Sequence, residues 1–166
     1  MRVAFGLGSN LGDREGHLRA AVAGLERSGV RDLRVSSAYE TDPVGGPAQP
    51  DYLNAVAVGE TSLAAAELLT VAKELEFEAQ RVRTVRNAPR TLDVDILALG
   101  DVVLHTEQLT LPHPRAHERA FVLVPWAEVD PEFPVPGLGS VSELAASVDA
   151  SGVRPGPDVD LRGTGA

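Results

Sequence analysis

The chain contains no cysteine. Disulfides, zinc–thiolate sites, iron–sulfur clusters and a thiol nucleophile are therefore excluded, and a reducing compartment is consistent with the absence. It has a single lysine, Lys73, so chemistry that needs an amine has one candidate. No stretch approaches the roughly eighteen consecutive apolar residues of a membrane span, and the start, MRVAFGLGSNLGDRE, is too short in apolar residues for a signal segment. A soluble, cytoplasmic protein with no membrane partner is expected. Positive charge is also scarce: 15 Lys and Arg stand against 24 Asp and Glu, a net charge of −9. That balance repels a phosphate polymer, so nucleic acid is not an expected partner. Neither a P-loop G-x-x-x-x-G-K-[ST] nor a G-x-S-x-G nucleophile elbow occurs.

What is present fits one domain: 166 residues, 43% of them hydrophobic, enough for a core without staples. Arg2 to Leu7 reads as a buried strand ending in the Gly8-Ser9-Asn10 turn. Asn10 or Asp13 is placed to cap a helix whose apolar stripe is Leu18, Ala21, Val22 and Leu25. Val30 to Tyr39 has the character of a half-exposed strand, and Glu40 to Asp51, with three prolines and two glycines, that of a restricted loop. Tyr52 to Thr61 returns to strand, with Leu53, Ala55 and Ala57 on one face and Tyr52, Asn54, Val56 and Val58 on the other. Ser62 is placed to cap a second helix with the stripe Leu68, Val71, Ala72 and Leu75. Thr91 to Leu99 is a strand that Gly100-Asp101 turns toward a short partner, Val102 to Leu104. Beyond it prolines forbid long elements, although Arg119 to Ala127 has room for a helical turn or two. Ser140-x-x-Glu143 is a capping box before a short helix. From Asp149 the composition predicts a mobile tail, so residues 1–148 form the expected domain and 149–166 the tail. The order βαββαβ predicts an α+β, ferredoxin-like core: an antiparallel sheet with helices on one face, plus a C-terminal extension.

The sharpest chemical signal is Asp93-Val94-Asp95 in an apolar strand. Alternation puts both carboxylates on one face, with Cα atoms about 6.6 Å apart, while Leu92, Val94 and Ile96 face the core. Two like charges so close suit a hard divalent cation such as Mg²⁺, completed by substrate phosphates and water; a solvated face paired with arginines is the alternative. Arg81, Arg83, Arg86 and Arg90 precede the pair within a ten-residue stretch. Their planar forks suit phosphate oxygens, and a metal beside several guanidinium groups is what phosphoryl transfer needs. Pairing with the surplus acid is the competing explanation. Glu76 either helps to hold a nucleotide or is surface.

A second unit joins Thr41-Asp42-Pro43-Val44-Gly45-Gly46 to Tyr52-Leu53-Asn54. An aromatic ring beside a side-chain amide can stack on and hydrogen-bond a flat heterocycle, though a surface tyrosine and a cross-strand amide would look alike. Gly6-x-Gly8-x-x-x-Gly12 departs from the dinucleotide spacing and is not followed by repeated βα units. His113 and His117 lack a third soft ligand for zinc; contact with phosphate or ribose is the better reading for a histidine beside Arg115 and Arg119.

These segments together resemble the 6-hydroxymethyl-7,8-dihydropterin pyrophosphokinase family of folate biosynthesis. The resemblance is carried by GLGSNLGD (Gly6 to Asp13), SSAYETDPVGGPAQPDYLNAV (Ser36 to Val56), RVRTVRNAPRTLDVDIL (Arg81 to Leu97) and LPHPRAHERAFVLVPWAEVDP (Leu111 to Pro131), in the family's order over residues 1–148. It implies a monomer that transfers the pyrophosphoryl group of ATP, its co-substrate, to the pterin hydroxymethyl group and releases AMP. It implies further that Asp93 and Asp95 hold two Mg²⁺ ions and that Arg81 and Arg90, assisted by Arg83, close on the phosphates. Tyr52 and Phe121 would sandwich the pterin, with Asn54, Pro43 and the backbone around Thr41 and Val44 reading its edge. Glu76, Ile96, His113 and Arg119 would contact the nucleotide. The chain departs from the family at Asn87-Ala88, where Trp-Gly is common. Two rival readings are another Mg²⁺-dependent phosphoryl-transfer enzyme and a non-catalytic ferredoxin-like ligand-binding module.

Overall fold

The computed structural model describes residues 1–10, 12–42, 51–81 and 92–161. Strand β1 (Arg2–Ser9) is followed by helix α1 (Arg14–Arg27), β2 (Arg31–Val35), β3 (Tyr39–Thr41), β4 (Tyr52–Glu60), α2 (Ala65–Arg81) and β5 (Asp93–Leu99). After these come β6 (Leu104–His105), β7 (Thr110–Leu111), a 3₁₀ turn (Ala116–Glu118), α3 (Ala120–Val129), β8 (Pro134–Val135), β9 (Gly139–Ser140), α4 (Val141–Ala146) and β10 (Val153–Pro155). The main sheet runs β10-β3-β4-β1-β5, with β2 also on β4, and every pairing in it is antiparallel. β2 and β3 together act as one strand along β4, which gives the ferredoxin-like βαββαβ arrangement. No helix among the described residues is long and apolar enough to cross a membrane.

Local chemistry accounts for most element boundaries. Asp13 caps α1 by accepting from the Gly16 N–H, and the predicted stripe of Leu18, Ala21, Val22 and Leu25 is buried. In α2, Leu68, Ala72 and Leu75 are buried as the period requires. Its start differs from expectation: the Ala64 N–H is satisfied by the Glu67 side chain at 2.9 Å, and Ser62 lies two residues too early to cap. The single strand expected over Val30 to Tyr39 is interrupted at Ser36. There the Ser36 hydroxyl takes the place of a ladder carbonyl, accepting from the Val56 N–H at 2.9 Å. The turn after β5 does not fold the next strand back onto it: β6 pairs with β7 in a separate ribbon.

Two cores sandwich the sheet. Beneath α1 and α2 lie Val3, Phe5, Leu7, Leu53, Ala55, Ala57, Val94 and Ile96. On the opposite face Ala4, Val56, Val58, Leu97 and Ala98 pack against Val122, Leu123 and Trp126 of α3 and Val141 of α4. Helices α1 and α2 therefore share one face as predicted, while the proline-containing C-terminal segment covers part of the other. α3 tolerates Pro125 and runs ten residues, longer than the expected turn or two. The capping box at Ser140 and Glu143 is formed. Where composition predicts a mobile tail, β10 hydrogen-bonds to β3 and Leu161 is buried.

The second face is divided along its length. Its lower part is apolar and covered by α3. At the other end the same strands present Tyr52 and Asn54 from β4, Gly6 and Gly8 from β1, and Asp93 and Asp95 from β5.

Candidate active site

The register builds the site. Gly8 pairs with Asn54 on one side and Asp93 on the other; Gly6 pairs with Val56 and Asp95. With strands about 4.8 Å apart, the amide and carboxylate rows stand about 10 Å from each other, separated by a row without side chains. The result is a trough, and a cavity of about 580 Å³ occupies it. Thr41, Asp42, Tyr52 and Asn54 line one end; Asp93, Asp95, Arg115, Arg119 and Phe121 complete it. Gly6 and Gly8, the first two glycines of the spacing that departs from the dinucleotide motif, serve as its floor.

At the heterocycle end, the Asn54 amide is held rather than free to rotate. Its Nδ2 donates to Thr41 Oγ1 at 2.6 Å, and both residues are buried. A Cβ on Gly8 would come within 2.7 Å of Asn54 Oδ1, so a larger residue there would displace the amide. The Arg119 guanidinium lies over the Phe121 ring, 5.6 Å from its centroid, and both residues reach the cavity from the start of α3.

At the other end, β5 alternates as the sequence predicts: Asp93 half-buried, Val94 buried, Asp95 exposed, Ile96 buried. Glu76, reaching from α2, accepts the Val94 N–H at 2.9 Å through Oε2 and so anchors the backbone between the two aspartates. A second cavity of about 260 Å³ opens beside the first, lined by Leu69, Val94, Ile96, Leu109 and His113, and Asp95 borders both. Burial lowers the His113 pKa, an effect that Asp95 opposes and Arg119 and Arg115 reinforce. The Arg115 N–H donates to His113 Nδ1 at 3.2 Å, so the neutral ring carries its proton on Nε2.

Asp93 and Asp95 offer hard oxygen donors from one strand face. Among the described residues no group of three or more His, Cys, Asp or Glu could enclose a metal ion. Two carboxylates beside an open cavity fit a cation that takes its remaining ligands from a polyanionic substrate and water, as Mg²⁺ commonly does.

Of the residues expected from sequence, Thr41, Tyr52, Asn54, Phe121, Asp93, Asp95 and Arg119 meet in the larger cavity; Ile96 and His113 line the smaller one. Glu76 contacts the β5 backbone. Arg81 is the last residue of α2. Pro43, Val44, Arg83, Arg86, Arg90 and the Asn87-Ala88 pair lie outside the described residues. Sequence reasoning missed the role of Gly6 and Gly8, the cavity positions of Asp42 and Arg115, and the arginines that hold the loop flanks, Arg14 and Arg154. The glycines had a signal, since both precede a polar turn on an otherwise apolar strand; the arginines had none short of the tertiary contacts.

Comparison with known proteins shows the family and the fold. The family described as 7,8-dihydro-6-hydroxymethylpterin-pyrophosphokinase (HPPK) matches residues 4–131. The chain is 46% identical over 149 residues to a 2-amino-4-hydroxy-6-hydroxymethyldihydropteridine pyrophosphokinase of Bacillus subtilis, covering 89% of this chain and 86% of that protein. The protein of the same name from Pseudomonas aeruginosa is 39% identical over 154 residues, 92% of this chain and 95% of its own. Among solved structures, wild-type HPPK-DHPS of Plasmodium falciparum with SDX-DHP superposes with a TM-score of 0.66 at 14% identity over 87% of this chain. The chain spans 44% of that longer protein, and the likeness is one of fold.

Proposed function

Since the chain belongs to the 7,8-dihydro-6-hydroxymethylpterin-pyrophosphokinase family, we propose that the trough on the open half of its sheet is where ATP and the pterin meet. The enzyme is an ATP-dependent diphosphotransferase of folate biosynthesis: it moves the pyrophosphoryl group of ATP to the hydroxymethyl group of 6-hydroxymethyl-7,8-dihydropterin. The hydroxymethyl oxygen forms a bond to the β-phosphorus, the bond from that phosphorus to the α-phosphate oxygen breaks, and AMP leaves. Catalysis of such a transfer is mostly positioning and stabilisation of charge on the phosphoryl oxygens.

One observation carries the assignment of parts: the register Asn54–Gly8–Asp93 and Val56–Gly6–Asp95 sets a heterocycle platform and a carboxylate pair side by side on one face. In this reading Tyr52 and Phe121 hold the two faces of the pterin ring. Asn54, its amide fixed by Thr41, reads the ring's hydrogen-bonding edge; Pro43 and Val44 are assigned to the same edge by the family resemblance alone. Asp93 and Asp95 would hold Mg²⁺, two ions in the family resemblance, which neutralises the triphosphate. Ile96 and His113 border the adenosine side, where the Nε2–H of a neutral His113 is a donor suited to a phosphate oxygen. Arg119, which lines the larger cavity, and Arg81, Arg83 and Arg90 supply the remaining positive charge, and a guanidinium keeps that charge throughout the reaction. Glu76 acts by holding β5 and, in the resemblance, by touching the nucleotide. A monomeric enzyme is what the family resemblance implies.

The test is a product assay with the full chain, ATP, Mg²⁺ and 6-hydroxymethyl-7,8-dihydropterin. AMP and the pterin diphosphate are expected in equal amounts. ADP or inorganic phosphate as the nucleotide-side product would point to the rival phosphoryl-transfer reading.

A further inference from the structure

Two arginines outside the reaction scheme converge on the rim of the heterocycle end. Arg14, the first residue of α1, grips Glu40 with both terminal nitrogens at 2.6 and 2.9 Å and donates to the Asp51 carbonyl oxygen at 3.1 Å. Arg154, in β10, divides its fork between two carboxylates. Nη1 donates to Asp42 Oδ1 at 2.9 Å and Nη2 to Asp51 Oδ2 at 2.8 Å. In sequence those two aspartates flank residues 43–50, and each is adjacent to a cavity residue, Thr41 or Tyr52. Strand pairing runs the same way: Val153 pairs with Thr41, and Thr41 with Tyr52.

We propose that Arg154 is a positioning residue for the pterin pocket, tying together the two flanks from which Thr41, Asp42 and Tyr52 reach the cavity. The inference rests on the assignment of that end of the trough to the pterin. The physical case is one of geometry against stability. Arg154, Asp42 and Asp51 are all substantially exposed, and exposed ion pairs contribute little to folding. Without the guanidinium, however, two carboxylates on neighbouring chain segments repel each other, and the planar fork that sets their separation is lost. The consequence falls on a pocket that must be ordered before it binds. It does not fall on phosphoryl chemistry at β5, on the far side of β1.

The experiment compares the wild-type chain with Arg154→Ala and Arg154→Lys. AMP formation is measured with each substrate varied in turn, alongside fluorescence titration of the pterin itself and thermal melting. For Arg154→Ala, KM and Kd for the pterin should rise about tenfold. Its kcat and its KM for ATP should stay within about twofold of wild type. Arg154→Lys should fall between, because an ammonium group is a single point of charge and cannot span both carboxylates as a fork. The melting temperature should change little. Unchanged pterin affinity in Arg154→Ala overturns the proposal, as does a parallel loss in kcat and both KM values accompanied by a lowered melting temperature. A wild-type chain that binds the pterin without producing AMP contradicts the reaction and leaves the Kd comparison to decide the role of Arg154. A wild-type chain that does not bind the pterin overturns both.

Discussion

Gly8 shapes the site by what it lacks. It sits between Asn54 and Asp93, and a methyl group there would press on Asn54 Oδ1, whose amide is already tied to Thr41. Gly8→Ala should therefore raise the pterin KM by about tenfold and destabilise the fold by about 1–3 kcal/mol, the usual range for overpacking. Gly6→Ala is the control. Its Cβ would meet the flexible Leu97 side chain at 3.3 Å, so a smaller change in both quantities is expected from steady-state kinetics and urea unfolding. Asp95 is the opposite kind of residue, exposed on its strand and bordering both cavities. Asp95→Asn should cut kcat by at least about a hundredfold, as loss of a charge-positioning group does, while circular dichroism and melting stay near wild type. Near-normal turnover in that variant would remove the metal assignment.

At the scale of elements, β5 shows how a single strand serves two ends. Val94 and Ile96 join the core under α1 and α2, while Asp93 and Asp95 turn to the trough. This much follows from alternation, and it was legible because the two aspartates interrupt an otherwise apolar run. The cover on the opposite face was less legible. The apolar run within Ala120–Val129 contains Pro125, a residue that argues against a helix, yet burial of Leu123 and Trp126 outweighs the lost hydrogen bond. The capping box of α4 lies away from the trough, so it separates stability from activity. Ser140→Ala should cost about 1 kcal/mol in urea unfolding, with kcat and both KM values unchanged.

At the scale of the whole molecule, the C-terminal half is fastened to the sheet by polar ties as well as by its core. Asp130 accepts from Arg2 at 2.8 Å and from Arg34 at 3.4 Å, and Glu128 at the end of α3 accepts from the Tyr39 hydroxyl and from Ser37. Burial, with help from the Glu128 hydrogen bond, pushes the Tyr39 pKa up to about 12 from its ordinary 10.0. The folded state thus keeps a proton that the unfolded chain releases first. The stabilisation is complete below pH 10.0 and fades as the pH rises toward about 12. Urea midpoints measured across that window should fall for the wild type. Tyr39→Phe should start lower, having lost the hydrogen bond, and should show a shallower fall over the same pH range. If Asp93 and Asp95 hold the proposed cation, activity depends on it while the fold does not. Chelation should abolish AMP formation and Mg²⁺ should restore it, with the circular dichroism spectrum unchanged throughout, because the two aspartates belong to a strand already fixed by its core.

By itself the sequence determined the βαββαβ order of the core, the faces of β4 and β5, the carboxylate pair and the family. Each of these is written in local periodicity or in contiguous motifs, where neighbouring residues specify one another. It could not determine which strands would lie side by side, because register is a long-range property set by the packing of both faces. Only the tertiary structure set Gly8 between Asn54 and Asp93, laid α3 over half of one face and left the other half open. It also brought Arg154 to Asp42 and Asp51, residues more than a hundred positions away, which nothing in the composition of a polar, glycine-rich tail could foretell.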